Sequence, residues 1–197
     1  MCLIVVNSSG ASLMFDIIVI GAGPTGLVSA LTFANAGCEV AVVDPVDRAR
    51  AAASEYSDGS PDRRTTAHLS PTVRFLEDMG IWNEICQNAC PLERLVIIED
   101  TSKNPISNRK KRTVFDPSEF ENQNFGYNVP IGDNLEGLGK LVRANSNVTL
   151  IFGLGLESVV QNDELVAGIL TDGTTIRAKL LIGADGGNSQ VRKSLGI

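Results

Sequence analysis

Residues 15–44 read FDIIVIGAGPTGLVSALTFANAGCEVAVVD, and this stretch decides the fold. Phe15 to Ile20 is a short, β-branched, almost uninterrupted apolar run ending at Gly21, as expected of a strand buried on both faces of a parallel sheet. Pro24 to Ala36 is small and apolar with Gly37 behind it, which predicts a helix lying close against a sheet and closed by a glycine cap. Glu39 to Val43 predicts a second buried strand, closed by Asp44. The three together are a β-α-β unit. Its first turn, Gly21-Ala22-Gly23-Pro24-Thr25-Gly26, matches G-x-G-x-x-G between strand and helix, where backbone N–H groups and the helix dipole receive a pyrophosphate. Asp44 then stands where a carboxylate binds a ribose diol and repels a 2′-phosphate; its plainer role is a strand-end turn. The stretch predicts dinucleotide binding and leaves open which dinucleotide.

Outward from this unit, residues 45–64 are rich in Asp, Arg, Ser and Ala and read as loop, with a helical turn through Arg48 to Ala53. Ser70-Pro71 predicts an N-cap followed by proline in the first helical position, Val73, Leu76 and Met79 repeat at helical spacing as core, and Gly80 stops the helix. Trp82 and Ile85 continue that apolar face. Strands are expected at Leu95–Ile98, Thr113–Phe115 and Phe125–Val129, then a helix carrying Leu135, Leu138, Leu141 and Val142 to about Asn145, and a strand at Val148–Phe152. Glu157–Gln161, Leu165–Leu170 and Thr175–Ala178 are separated by Asn162-Asp163 and Asp172-Gly173, both hairpin-turn dipeptides, and form a three-stranded antiparallel meander. Leu180-Leu181-Ile182 finally runs into Gly183-Ala184-Asp185-Gly186. The fold class is α/β: a Rossmann-like domain whose parallel sheet holds the strands ending at Gly21, Asp44 and Gly183, with the meander as a crossover between sheet strands.

Composition narrows the function classes. The 197 residues are 43% hydrophobic with a net charge of −6, which suits a packed domain and disfavours a phosphate-tracking nucleic-acid binder. Lys103 and Arg109-Lys110-Lys111-Arg112 lie among Asn, Ser and Pro without aromatics and read as a solvated loop. Four cysteines, Cys2, Cys38, Cys86 and Cys90, and one histidine, His68, offer no metal-ligand spacing, so no metal site is expected. Cys86 and Cys90 read as buried small hydrophobes one helical turn apart, and His68 as a helix-entry contact beside Ser70 rather than a base. The start MCLIVVNSSGASLM lacks the basic region and the length of a signal peptide or spanning helix, so a reducing, cytoplasmic setting with free thiols is expected.

Three stations along the chain resemble the aromatic-ring hydroxylases of the flavoprotein monooxygenase superfamily, in order and in spacing. They are the glycine loop with Pro24, the segment Asp62-Arg63-Arg64-Thr65-Thr66-Ala67, and Gly183-Ala184-Asp185-Gly186-Gly187-Asn188-Ser189-Gln190-Val191-Arg192. Phe125-Gly126-Tyr127-Asn128-Val129-Pro130 adds a likeness to the bacterial ubiquinone-biosynthesis hydroxylase branch. The resemblance implies that the dinucleotide is FAD, that Gly21, Ala22, Gly23, Pro24, Thr25, Gly26 and Asp44 hold its ADP half, and that Arg64 lies along the cofactor near its phosphates. It further implies that Asp185 and Gly186 belong to a second fingerprint for FAD and reduced nicotinamide. Paired guanidinium donors suit phosphate oxygens, and a strand running into Gly-x-Asp-Gly lets backbone approach a ligand. Arg64 also has a plain alternative, a surface ion pair with Asp62, and Asp185 has one in capping a helix that begins near Asn188.

The same resemblance implies NAD(P)H as reductant, a small aromatic or prenylated phenol substrate, and association with the inner-membrane surface or a ubiquinone-synthesis complex. It places an N-terminal extension at residues 1–14 and an incomplete, truncated FAD-binding domain at 15–197, with 92–130 a partial β insertion on the substrate side. Gly187 and Ile131-Gly132 depart from the family, which carries polar or basic residues there. The family's second half, with its Gly-Asp motif and substrate roof, has no counterpart, so a flavin held here would leave its isoalloxazine ring open to water. Two other readings are weighed against this one: an FAD-dependent reductase of the prenyl-reductase type, and a catalytically inactive remnant or binding module.

Overall fold

A computed structural model describes residues 13–47, 64–99, 111–120 and 124–197. The expected helical turn at 48–53, residues Asp62 and Arg63, and Lys103, Arg109 and Lys110 of the basic loop lie outside the described residues. The chain forms two compact units, one from residues up to 55 and from 135 onward, the other from 56 to 134.

The first unit begins with β1 (Leu13–Met14), β2 (Ile17–Ile20), α1 (Pro24–Asn35) and β3 (Val40–Asp44). It is completed by most of a helix at Ile131–Ala144, then β9 (Val148–Phe152), β10 (Leu156–Gln161), β11 (Val166–Leu170), β12 (Thr175–Ala178), β13 (Leu180–Gly183) and a last helix at Gln190–Leu195. Four strands make an all-parallel sheet in the order β13-β2-β3-β9, so the strands ending at Gly21, Asp44 and Gly183 do share one sheet. The meander β10-β11-β12 is antiparallel, and β1 adds to its edge parallel to β12. Because β9 and β13 are the two edge strands of the parallel sheet, the meander is the crossover between them.

Alternation explains how a thin sheet is covered on both sides. Ile18 and Ile20 of β2 and Ala41 and Val43 of β3 pack against Leu156, Leu170, Ile176 and Ala178 of the meander. The alternate residues Ile17, Val19, Val40 and Val42 are equally buried on the other face, where Leu27, Ala30, Leu31 and Ala34 of α1 are buried as well. Strand β2 starts at Ile17 rather than Phe15, whose N–H donates instead to the Arg177 carbonyl of β12. The Asp16 carboxylate accepts the Glu39 N–H at 3.1 Å and pairs with Lys179 at 2.9 Å, which holds its acidity stronger than usual.

The second unit holds β4 (Thr65–Leu69), α2 (Ser70–Asp78), α3 (Trp82–Ile85), β5 (Cys90–Pro91), β6 (Leu95–Glu99), β7 (Lys111–Phe115) and β8 (Gly126–Pro130). The helix at Ile131–Ala144, α4, follows β8 directly, and the last helix, Gln190–Leu195, is α5. Strands β4, β8 and β5 form one antiparallel sheet, and β6 pairs with β7.

Four local expectations are corrected here. Lys111 and Arg112 are not loop: they open β7 and pair with Glu99 and Ile98 of β6. Ser70 is not an N-cap: helix α2 starts on it, Leu69 is the extended cap residue without a side-chain bond, and the Ser70 hydroxyl donates instead to the Asn124 carbonyl. Cys86 and Cys90 are not one helical turn apart: Cys86 ends the short α3, and Cys90 is exposed on strand β5. His68 lies within β4, and its ring meets Asn134 of α4 rather than the helix entry.

Ile18 is fully buried between the parallel sheet and the meander. Ile18→Ala should therefore cost about 2–5 kcal/mol and lower the urea midpoint at unchanged slope, whereas a loss under 1 kcal/mol would mean the two sheets do not pack through this residue.

Candidate functional site

The carboxyl ends of β2, β3 and β13 lie side by side, and the sequence motifs that follow them meet there. The Gly21 N–H donates to the Val43 carbonyl at 2.8 Å and the Ala184 N–H to the Ile20 carbonyl at 2.7 Å, so the glycine loop sits between the other two strand ends. Each glycine of the loop has a different physical reason. Gly21 has φ +107, and a Cβ on it would strike the Ala184 carbonyl. Gly26 lies on the first turn of α1, where a Cβ would strike the Gly21 carbonyl and crowd the Ala184 methyl at 3.3 Å. Gly23 is unlike both: its φ is −72, which any residue adopts, and a Cβ there would meet nothing within 4 Å. No packing within the described residues calls for glycine at Gly23. The open space before it is what a closely approaching ligand would use.

The helix start fits the same ligand. Gly23 is the N-cap of α1 and offers no side chain, Pro24 fills the first helical position without an N–H, and the first intrahelical bond runs from Leu27 N–H to Gly23 C=O. The N–H groups of Thr25 and Gly26 precede that bond and have no intrahelical acceptor. An anion is the partner that both they and the positive end of the helix dipole favour. The first turn contains no acidic side chain to compete.

Asp44 is buried at 2% exposure. One of its carboxylate oxygens accepts the Ala22 N–H at 2.8 Å and the other the Val46 N–H at 2.8 Å. The strand-end turn and the tie to the glycine loop are thus both real. A carboxylate is an acceptor-only group, the chemistry a ribose hydroxyl donor requires.

Asp185 caps helix α5, two residues further on than the sequence placed the helix start. Its Oδ2 accepts the Gln190 N–H at 2.6 Å and the Val191 N–H at 3.1 Å, while Ser189 is the N-cap proper and accepts the Arg192 N–H. Partial burial pushes the Asp185 carboxyl up, and bonds from the Ser189 hydroxyl and from the Val191 and Gln190 amides outweigh it, leaving the group more acidic than an ordinary aspartate. Gly186, at φ +80, turns the backbone between strand and helix.

Arg64 belongs to the second unit, where it is exposed and its carbonyl accepts the Ile131 N–H at 3.0 Å. The sequence reading did not find Asn134, which is 1% exposed. Its amide donates to the Pro130 carbonyl at 3.3 Å, so its Oδ1 is the acceptor facing His68 Nε2 at 3.0 Å, and His68 therefore carries its proton on Nε2. A polar residue one and two helical turns before Leu138 and Val142, on their buried row, was the available signal. Among the described residues no three His, Cys, Asp or Glu side chains converge on a metal position, and no helix is long and apolar enough to cross a membrane.

Stability should separate the glycines. Gly26→Ala should destabilise the fold by about 1–3 kcal/mol through overpacking, while Gly23→Ala should leave the thermal midpoint within about 2 °C of the parent. Equal losses at both positions would show that Gly23, like Gly26, is held by the protein's own packing.

This geometry agrees with what comparison finds. The FAD binding domain family matches residues 14–197. The chain is 33% identical to 3-demethoxyubiquinol 3-hydroxylase of Escherichia coli (strain K12), over 92% of this chain and 44% of that protein. It is 28% identical to ubiquinone hydroxylase UbiL of Rhodospirillum rubrum, over 96% of this chain and 41% of that one. The chain thus spans less than half the length of these curated relatives. The fold is that of p-nitrophenol 4-monooxygenase PnpA from Pseudomonas putida DLL-E4, with a TM-score of 0.70 at 21% identity over 94% of this chain and 44% of that one. With strand order, glycine loop and helix start all in agreement, the chain belongs to the FAD binding domain family.

Proposed function

We propose that this chain is the FAD-holding part of a flavin-dependent monooxygenase that hydroxylates a phenol-type, polyprenylated ring in ubiquinone synthesis, with NAD(P)H as reductant and O2 as co-substrate. The observation that carries the reading is the open approach to Gly23 at the uncapped start of α1, in a chain 33% identical to a ubiquinone-pathway hydroxylase over 92% of its length. The residues present fit the cofactor. The N–H groups of Gly23, Thr25 and Gly26 would receive the pyrophosphate, with Gly21 and Gly26 allowing the backbone to come close, Ala22 tied to Asp44, and Pro24 starting the helix. The Asp44 carboxylate would accept from the adenosine ribose. Asp185 and Gly186 shape the neighbouring turn, and Arg64 is assigned to the phosphates from its place in the motif. Bound FAD would supply the redox and oxygen chemistry, and the protein's task is to hold it and keep water away.

Residues 15–197 are taken as the FAD-binding domain and 92–130 as an insertion on the substrate side. The substrate is assigned through the relatives: a small aromatic or prenylated phenol, met at a membrane surface or in a ubiquinone-synthesis complex. Because the chain covers 44% of the E. coli protein, we assign to it the holding of the cofactor and not the whole reaction.

Flavin-fluorescence titration of the purified chain tests this. FAD should bind and ADP should displace it, FMN should bind at least about tenfold more weakly because it lacks the adenylate, and Gly23→Val should abolish binding in a folded protein. Equal affinity for FMN and FAD, or an unchanged affinity in Gly23→Val, would remove the pyrophosphate assignment; hydroxylation of a polyprenylphenol by the purified chain unaided would contradict the division of the reaction.

A further inference from the structure

Helix α4 reaches the turn that carries Asp44 through a long-range ion pair. Arg143, in the last turn of α4, donates from Nη2 to both carboxylate oxygens of Asp47, at 2.7 and 2.8 Å. The two residues are 96 positions apart in sequence and lie in the same unit. Asp47 follows directly on the Asx turn in which the Val46 N–H donates to Asp44 Oδ1. The other oxygen of Asp44 holds the Ala22 N–H of the glycine loop. A continuous path therefore runs from Arg143 through Asp47 and the backbone of Val46 to Asp44, and from there to Ala22.

We propose that Arg143 is a positioning residue for the adenosine end of the cofactor, acting through Asp47 to hold the 44–47 turn closed. Three observations carry this. First, Asp44 is 2% exposed and has both oxygens engaged by backbone N–H groups, so its orientation depends on where Ala22 and Val46 lie. Second, β3 ends at Asp44, and beyond it sheet pairing no longer fixes the chain. Third, Arg143 is exposed and Asp47 half-buried, at 41% and 26% of the side chains, and one guanidinium nitrogen reaches both carboxylate oxygens, a short charge-assisted contact that ties Asp47 to the end of α4. An isolated surface pair contributes little to global stability. Its effect here is local: it removes freedom from the turn before the ligand arrives, which lowers the ordering cost of binding.

The inference rests on Asp44 facing the adenosine ribose, and its test separates the two claims. In the free chain, amide exchange followed by NMR should quicken at Val46 and Ala22 in Arg143→Met, by about fivefold or more, while Ile18 and Val42 in the sheet exchange as in the parent. Arg143→Met should also weaken FAD and ADP to a similar extent, about five- to tenfold, with a thermal midpoint within about 2 °C of the parent. The exchanged pair Arg143→Asp with Asp47→Arg should recover most of both losses. Unchanged exchange at Val46, a uniform rise across the sheet, or unchanged ADP affinity would overturn the proposal. If exchange quickens at Val46 and Ala22 while the parent chain binds neither FAD nor ADP, the turn is held as described, but the ribose assignment fails and the cofactor role of Arg143 falls with it.

Discussion

Close backbone approach between the ends of β2 and β13 is the constraint on which the rest of the first unit depends. The Gly21 Cα faces the Ala184 carbonyl, and Gly26 faces the Gly21 carbonyl, with no room for a methyl group in either place. That contact sets α1 against the parallel sheet at the start of its first turn. It also places the loop after β13 beside the loop after β2. Two motifs more than 150 residues apart in sequence become neighbours through two missing side chains.

From this contact follow both the burial pattern and the chemistry. The sheet can be covered on both faces only if its strands are apolar at every position, and β2 and β3 are buried throughout, Asp44 included. A carboxylate at such a depth has to be satisfied, and the backbone amides of Ala22 and Val46 do so. The same bonds draw the glycine loop toward the end of β3. The N–H groups of Thr25 and Gly26 have no intrahelical acceptor, so the arrangement that stabilises the strand ends also leaves a helix start that favours an anion. On the far side, Asp185 serves the short helix α5 through its amides, closing the loop that faces Gly21.

What was legible in the sequence was what local interactions decide. The β-α-β unit was readable because its strands are uniformly apolar and its turn is punctuated by glycine. The meander was readable because Asn162 and Asp172 make their own turns: Asn162 Oδ1 accepts the Glu164 and Leu165 amides, Asp172 Oδ1 accepts the Thr174 amide, and Gly173 supplies φ +85. Strand β4, Thr65–Leu69, was not readable. Its sequence TTAHL lacks an apolar alternation, and it is a strand because β8 pairs with it from residues about 60 positions away. The hydrogen bond between His68 and Asn134 and the ion pair between Arg143 and Asp47 were hidden for the same reason, since neither partner carries a local mark of the other. The candidate site divides along that line. The glycine loop, Asp44 and Asp185 announced themselves by motif and are gathered at one end of one sheet, whereas Arg64 is known by its motif alone.

On the function proposed above, the backbone amides at the start of α1 receive the pyrophosphate of the cofactor. Titrating the isotopically labelled chain with ADP and following its backbone amide resonances tests this most directly. The Gly23, Thr25 and Gly26 amides should shift together and saturate with one common affinity. If they stay in place while ADP moves resonances elsewhere, the pyrophosphate is not held at this helix start.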